Sequence, residues 1–193
     1  MKKFLFLLII IVICIIAGIY FAVQWTASQP QEAAVIEQIR TLNKWETTSY
    51  TVQQIIDTGS SGNVFQQFLF GNRILLVAQG TVIAGFDLAN LSKNNVHING
   101  KSIGIQMPSP EILSTSLNES QTRVYDRQKG LLVPENNNLE SDARISAVNK
   151  IRQAACSEGI LGAATDNAKK QLTTMLQTIG FTTVTITIPQ GHC

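Results

Sequence analysis

Apolar and polar residues are distributed unevenly along the chain, and the N-terminal part is the most apolar. From Phe4 to Val23, 20 consecutive residues carry no charge, and about 20 apolar residues make a helix long enough to cross the hydrocarbon core of a bilayer. A cleaved signal peptide usually has a shorter apolar core, of about 7 to 15 residues. The pattern therefore predicts a transmembrane signal-anchor helix that contacts the lipid bilayer through residues 4–23, with cleavage after the run left open.

Basic residues on either side of this run indicate its orientation. Lys2 and Lys3 precede it, and the next basic residue is Arg40. Because the cytoplasmic flanks of membrane helices are enriched in Lys and Arg, we expect the N-terminus in the cytoplasm and the bulk of the chain outside the cytoplasmic membrane. The predicted organisation is a cytoplasmic tip with a transmembrane helix (1–25), a juxtamembrane helix or linker (26–44) and an extracytoplasmic domain (45–193).

The residue pattern of the outer domain is first typical of β-strands. Residues Thr47–Thr58 are rich in β-branched and aromatic side chains, and "RILLVAQG" and "TVIAGFDL" predict two further buried or half-buried strands. Asp87 ends the last of these runs, and we interpret it as the cap of a turn, since no second acid lies nearby. Asn99-Gly100 lies between two alternating runs and predicts a tight hairpin with a two-residue turn.

The C-terminal half changes to a helical period before it returns to strand. Pro108 and Pro110 begin an extended segment, and apolar residues later recur at spacings of three and four in two stretches separated near Gly159. Gly180 is placed to end the second helix in the left-handed conformation, and "TTVTITI" alternates like a half-buried strand. The predicted fold is α+β, a mainly antiparallel sheet with two helices packed on one face and a C-terminal strand.

Charge and motif content limit the functions that are expected. The formal net charge is +2 and the 15 Lys and Arg residues are scattered, which argues against nucleic acid as a partner because nucleic acid requires clustered basic residues. The two histidines, His97 and His192, lie in no catalytic motif. The sequence thus assigns no catalytic, cofactor-binding or metal-ligating residue. Acids at the centre of the domain leave a hydrolase or ligand-binding site in the 108–126 region open: Glu111, Glu119 and Asp126, with Glu135 beyond them.

Two cysteines remain outside the predicted membrane span. An oxidising compartment allows Cys156 and Cys193 to pair if their Cα atoms come within roughly 7 Å. The sequence leaves this disulfide open. A metal site formed by the two thiols and His192 has too few ligands at too irregular a spacing to be favoured.

The order of several sequence blocks resembles a known family. "LNKWETTSYTVQQII", "LLVAQGTVIAGFDL", "IQMPSPEIL", "VYDRQKGLL" and "AVNKIRQAACSEGIL" resemble the bacterial family of domain of unknown function 4230. The resemblance implies a single-pass anchor with an extracytoplasmic domain, and it carries over no activity. The positions that match the family are structural ones: Gly80, Gly85, Asp87, Pro108, Pro110, Tyr125 and Gly180. The chain also resembles, more distantly, the stomatin/prohibitin (band 7) fold, although it lacks the long helical coil that follows that fold.

These observations favour a non-enzymatic role. We predict an interaction or scaffolding module at the cell envelope, with a membrane or envelope protein as its partner. The alternatives are a hydrolase or ligand-binding domain that uses the 108–126 acids and a band-7-like membrane assembly protein.

Overall fold

The computed structural model describes residues 13–20, 44–58, 63, 68–69, 71–89, 91–132 and 138–193. Residues 13–20 are helical. The rest of the predicted span, at 4–12 and 21–23, and the predicted juxtamembrane segment up to residue 43 lie outside the described residues. Within the described ranges, no helix combines the length and apolarity needed to cross a membrane.

Within the residues that the structure describes after residue 43, seven strands and two long helices form one domain. The strands are β1 (Lys44–Asp57), β2 (Asn72–Asp87), β3 (Val96–Asn99), β4 (Ser102–Gln106), β5 (Glu111–Leu117), β6 (Arg123–Lys129) and β7 (Thr183–Thr187). The helices are α1 (Leu139–Ser157) and α2 (Ile160–Thr178). The domain is therefore α+β, as the sequence predicts.

The first sheet is antiparallel and is organised around β2. β1 pairs with β2 on one side, and β5 and β6 share the other side, β5 beside the C-terminal part of β2 and β6 beside its N-terminal part. The prediction of two strands in Arg73–Leu88 is wrong, because β2 is one continuous strand. Gly80 lies inside this strand and forms no turn. A Cβ atom there would lie 2.7 Å from the Ser116 oxygen and 3.0 Å from Ile151. This glycine is a point of close packing.

The second sheet has the order β3-β4-β7 and is mixed. β3 and β4 form an antiparallel hairpin, whereas β7 pairs with β4 in parallel. The prediction of one mainly antiparallel sheet thus misses a second sheet with a parallel edge. The connection from β4 to β7 passes through β5, β6 and both helices, and a crossover of this length is what parallel pairing requires.

The predicted hairpin exists, but its turn is shifted by one residue. Asn99 pairs with Ser102 in the ladder, so the two loop residues are Gly100 and Lys101 rather than Asn99 and Gly100. Gly100 has φ of 59°, the left-handed conformation that glycine adopts at low cost.

Both helices contribute to the core, and α2 joins its two halves. The inner face of β1 and β2 packs on α1 through residues at a spacing of four, which are Ala143, Ala147, Ile151 and Ala155. The first half of α2 completes this cluster, and its second half packs on the other sheet through Ala168, Leu172 and Leu176. Small alanine side chains at these contacts let α1 approach the sheet closely.

The end of α2 has the predicted cap. Gly180 has φ of 108°, its N–H donates to the Gln177 oxygen, and the Phe181 N–H donates to the Leu176 oxygen at 3.1 Å. These two bonds define a Schellman motif. Phe181 and Leu176 are both buried in the same core cluster.

Candidate interaction surface

Turn geometry accounts for Asp87. This residue ends β2, and its Oδ1 accepts a hydrogen bond from the Ala89 N–H at 2.9 Å. A carboxylate that bonds the backbone two residues ahead closes an Asx-turn. The side chain therefore has a structural partner of its own.

Gly85 and Pro110 lie where two backbone segments come close together. A Cβ atom at Gly85 would overlap the backbone oxygen of Trp45 on the neighbouring strand. Pro108 and Pro110 belong to the link between β4 and β5, and Gly191 of the C-terminal tail packs directly on Pro110. These residues set the packing of the sheet and of the tail.

A disulfide fixes the C-terminal tail. Cys156, near the end of α1, is bonded to Cys193, with the two Cα atoms 6.1 Å apart. The tail after β7 therefore crosses back to α1, and residues 188–191 lie beside the first turns of α2 on the way. The bond ties the second sheet to the helix that packs on the first.

Glu111 and Asp126, two of the carboxylates of the 108–126 region, do not form a pair. Glu111 faces Gly85 and Asp126 faces Leu75 on the same strand, and ten residues at about 3.3 Å each separate these two positions by about 33 Å. Glycosidase carboxyl pairs are separated by about 5 to 10 Å. Glu119 binds Arg144 at 2.6 Å, and Glu135 lies outside the described residues. This geometry removes the support for a hydrolase built on Glu111 and Asp126.

Three cavities open at the surface of the described part of the domain. Their volumes are about 610, 420 and 240 Å³. The largest lies beside the disulfide and is lined by no Asp or Glu side chain, and the other two are lined by one each, Asp166 and Asp87. Both histidines are exposed and line none of these three cavities. Among the described residues no three His, Cys, Asp or Glu side chains are grouped to hold a metal ion.

An apolar surface lies along β6 and at residues 68–69 and 131–132, which pair with each other beyond the end of that strand. Five apolar side chains there are exposed by 36–71%, and we call them the apolar tip: Phe68, Val124, Tyr125, Leu131 and Leu132. Backbone bonds hold the two contributing segments together, from the Leu131 N–H to the Phe68 oxygen and from the Leu132 N–H to the Leu69 oxygen. From Tyr125 to Lys129, the last residue of β6, the surface extends about 13 Å along the strand direction, and the turn with Leu131 and Leu132 follows.

Charged side chains are interleaved with the apolar tip. β6 carries Arg123, Asp126, Arg127 and Lys129, and all seven of its residues are exposed. At the adjacent end of β2, Arg73 binds Asp57 through both carboxylate oxygens, at 2.8 and 2.5 Å. The hydrogen bond to Asp57 and the charge of that carboxylate raise the pKa of the Arg73 guanidinium. The surface combines aromatic and aliphatic side chains with charged ones, most of them basic. Aromatic residues and Arg are enriched at protein interfaces.

The sequence pattern does not single out this surface. Tyr125 is one of several positions that match the family, and the adjacent leucines Leu131 and Leu132 are the one local signal. Their proximity to Phe68 depends on tertiary pairing and is not visible in the sequence.

Comparisons with known proteins place most of the chain in one family. The sequence matches the family described as "Protein of unknown function (DUF4230)" over residues 37–186. No curated protein and no solved structure matches the chain. The distant resemblance to the band 7 fold therefore stays a prediction.

Proposed function

The chain belongs to the DUF4230 family, and we propose that it is a single-pass membrane-anchored module that binds an envelope protein through its apolar tip. The observation that carries this proposal is the concentration of exposed large apolar side chains at one end of the first sheet. Monomeric soluble domains rarely leave such side chains together without a partner, and patches of several hundred Å² are often interaction sites.

The anchor is supported by the sequence of the N-terminal run. Residues 4–23 are uncharged, and the part of the run that the structure describes, 13–20, is helical with its isoleucines exposed by 55–61%. Helices that leave isoleucine exposed on this scale need an apolar environment. The disulfide supports an extracytoplasmic position for the domain, because disulfides persist in oxidising compartments.

The tip lies at the opposite end of the sheet from the entry of the chain. Lys44 begins β1, and Asp57 at the far end of that strand pairs with Leu75. The two short segments that contain Phe68 and Leu132 and pair with each other lie beyond that end. The 14 residues of β1 extend about 43 Å. A partner bound at the tip is therefore well separated from the point where the chain leaves the predicted anchor.

The first experiment tests partner binding. The wild-type chain and the variant Phe68→Ser/Leu131→Ser/Leu132→Ser are cross-linked in native membranes and recovered under denaturing conditions. A matched control replaces apolar residues of similar exposure elsewhere, Ile145 on α1 and Ile179 after α2, which are exposed by 59% and 53%. We expect the tip variant to lose cross-linked partner bands and the control to retain them. Equal recovery by both variants, or recovery of the wild-type chain alone, contradicts the proposal.

The second experiment tests the anchor separately. Membrane fractionation should recover the intact chain with the membranes, and protease added to spheroplasts should digest the outer domain. An intact chain in the cytosolic fraction, or an outer domain that resists protease added from outside, contradicts the proposed topology.

A further inference from the structure

The two edges of the first sheet differ in how they are protected against pairing. β5 and β6, which together form one edge, are short strands of seven residues, and each has a register shift against β2. β6 also carries four charged side chains. Bulges, short strands and charges are the features that prevent an edge from pairing with another strand.

The opposite edge, formed by β1, has none of these protections along most of its length. Residues Thr47–Ile56 include no charged residue and no proline. The register with β2 is continuous from Thr48 to Asp57, and the one irregularity lies before it, between Glu46 and Thr48. A long, flat and uncharged edge strand presents a row of N–H and C=O groups that can pair with another chain.

Within the described part of the chain, only the residues at the beginning of this edge bond to another element. The Asn167 side chain donates to the Thr47 oxygen and to Thr48 Oγ1, and Thr47 Oγ1 donates to the Ala164 oxygen. Among the described residues, no strand, loop or side chain bonds to the outer edge of β1 between Ser49 and Ile56. We call Ser49–Ile56 the open edge.

We propose that the open edge pairs with the same edge of a second copy of this chain, in antiparallel orientation, to form a two-fold symmetric dimer. Because this edge carries no charge, it has no electrostatic preference for an acidic or a basic peptide. In an antiparallel pair of identical strands only the residue at the two-fold axis faces its own copy, so a charge near the axis would lie close to the same charge of the other copy, and like charges across a strand pair destabilise a sheet. The absence of charge over Thr47–Ile56 therefore removes this obstacle to self-pairing.

Side-chain alternation restricts the register of this dimer. Ser49, Thr51, Gln53 and Ile55 are exposed on the outer face, and Val52 and Ile56 are buried on the inner face. A one-residue slip exchanges the two faces. The two-fold axis must therefore lie midway between the two copies of one residue, so that outer residues of one copy face outer residues of the other and the two inner faces remain continuous under the helices. We place it at Val52, near the middle of the open edge, so that Thr51 of one copy faces Gln53 of the other.

The cross-linking experiment places single cysteines on the outer face of the full-length chain in mild detergent. A Cys14→Ala background removes the free cysteine, and Cys156 and Cys193 remain bonded. Thr51→Cys and Gln53→Cys are treated with a bis-maleimide that spans the diagonal separation of about 7 to 8 Å in a strand pair. The control is Ser114→Cys, which is exposed on β5 at the opposite edge.

The expected result is a covalent dimer for Thr51→Cys and Gln53→Cys but not for Ser114→Cys. In the proposed dimer five strand spacings of about 4.8 Å separate the two copies of Ser114, about 24 Å in all, which is beyond the cross-linker. If no β1 position cross-links more than the control, the proposal is overturned.

A charge variant provides an independent measurement that does not depend on cysteine chemistry. Thr51→Lys/Gln53→Lys brings like charges together across the axis, and we expect roughly tenfold or greater weakening of self-association in sedimentation or light scattering. Ser114→Lys is the matched control and should self-associate like the wild-type chain. A wild-type chain that is monomeric at all concentrations, or a dimer that the two lysines leave unchanged, contradicts the proposal even where the cysteine variants fold poorly.

Discussion

The disulfide between Cys156 and Cys193 gives the most quantitative prediction for this fold. The two residues are 37 positions apart, and closing a loop of this length in the unfolded chain corresponds to about 4 kcal/mol in the chain-entropy treatment. The Gly191 region of the tail, which packs on Pro110 and Leu161, loses its covalent anchor as well. We therefore expect Cys156→Ser/Cys193→Ser to lower the free energy of unfolding by about 2 to 4 kcal/mol.

Chemical denaturation of the full-length chain in mild detergent measures this loss. Circular dichroism follows unfolding by urea for the double variant, with Cys14→Ala as the control because that cysteine is free. The reduced wild-type chain should unfold with the double variant, and for a domain of this size the melting temperature should fall by roughly 10 °C. A difference in the free energy of unfolding below about 1 kcal/mol would refute the reasoning, since it would mean that the disulfide hardly restricts the unfolded chain.

Glycine and turn positions give predictions of opposite sign. Gly162→Ala, in the first turn of α2 where a Cβ atom meets nothing within 4 Å, should raise the free energy of unfolding by about 0.5 to 1 kcal/mol. Gly180→Ala, at φ of 108°, should lower it by about 1 kcal/mol, as measured by the same urea titration. Gly85→Ala should destabilise by about 3 kcal/mol or more, because the new methyl overlaps the Trp45 oxygen, and a folded variant of wild-type stability would contradict that packing. Asp87→Ala should cost about 1 kcal/mol through the lost Asx-turn bond, whereas Asp87→Asn should retain most of it.

Local signals predicted the local parts of the fold. The hairpin near Asn99, the cap at Gly180 and the two helices follow from turn chemistry and apolar periodicity, which depend on neighbours along the chain. The one-residue shift of the hairpin turn is the usual uncertainty of such a signal. It arises because Asn99 pairs with Ser102 and leaves Gly100 to supply the left-handed residue.

Features that depend on distant parts of the chain were not predicted. Gly80 resembles a strand boundary in sequence, yet it lies inside β2, where the close approach of Ser116 and Ile151 leaves no room for a side chain. The second sheet requires β7 to pair with β4 across more than 75 residues. The same placement carries the tail back to α1 and joins Cys156 to Cys193, a pairing that the sequence alone left open.

The candidate surfaces were predictable to different degrees. The uncharged stretch of β1 is visible in the sequence, but its position at an edge rather than in the middle of a sheet is set by topology. The apolar tip combines Phe68 with Leu131 and Leu132 through pairing of separate segments. In the 108–126 region, by contrast, nearness in sequence does not bring residues together. Glu111 and Asp126 lie opposite different ends of β2.

If both copies of the proposed dimer are anchored in one bilayer, its symmetry determines how the sheet and the two apolar tips are oriented relative to the membrane. A two-fold symmetric dimer with both anchors in the same membrane has its axis normal to the bilayer, and the axis of a face-preserving antiparallel strand pair is normal to the sheet. The joined sheet would then lie along the membrane, with the two apolar tips at its opposite ends.

Such a dimer would bind a clustered partner at two points, and bivalent binding strengthens attachment without any new contact. Thr51→Lys/Gln53→Lys should therefore reduce partner recovery as well as dimer formation, whereas Phe68→Ser/Leu131→Ser/Leu132→Ser should abolish partner recovery and leave the dimer intact. The asymmetry follows because the tip and the open edge lie on opposite sides of β2. Loss of the dimer in the tip variant would show that the two surfaces are one.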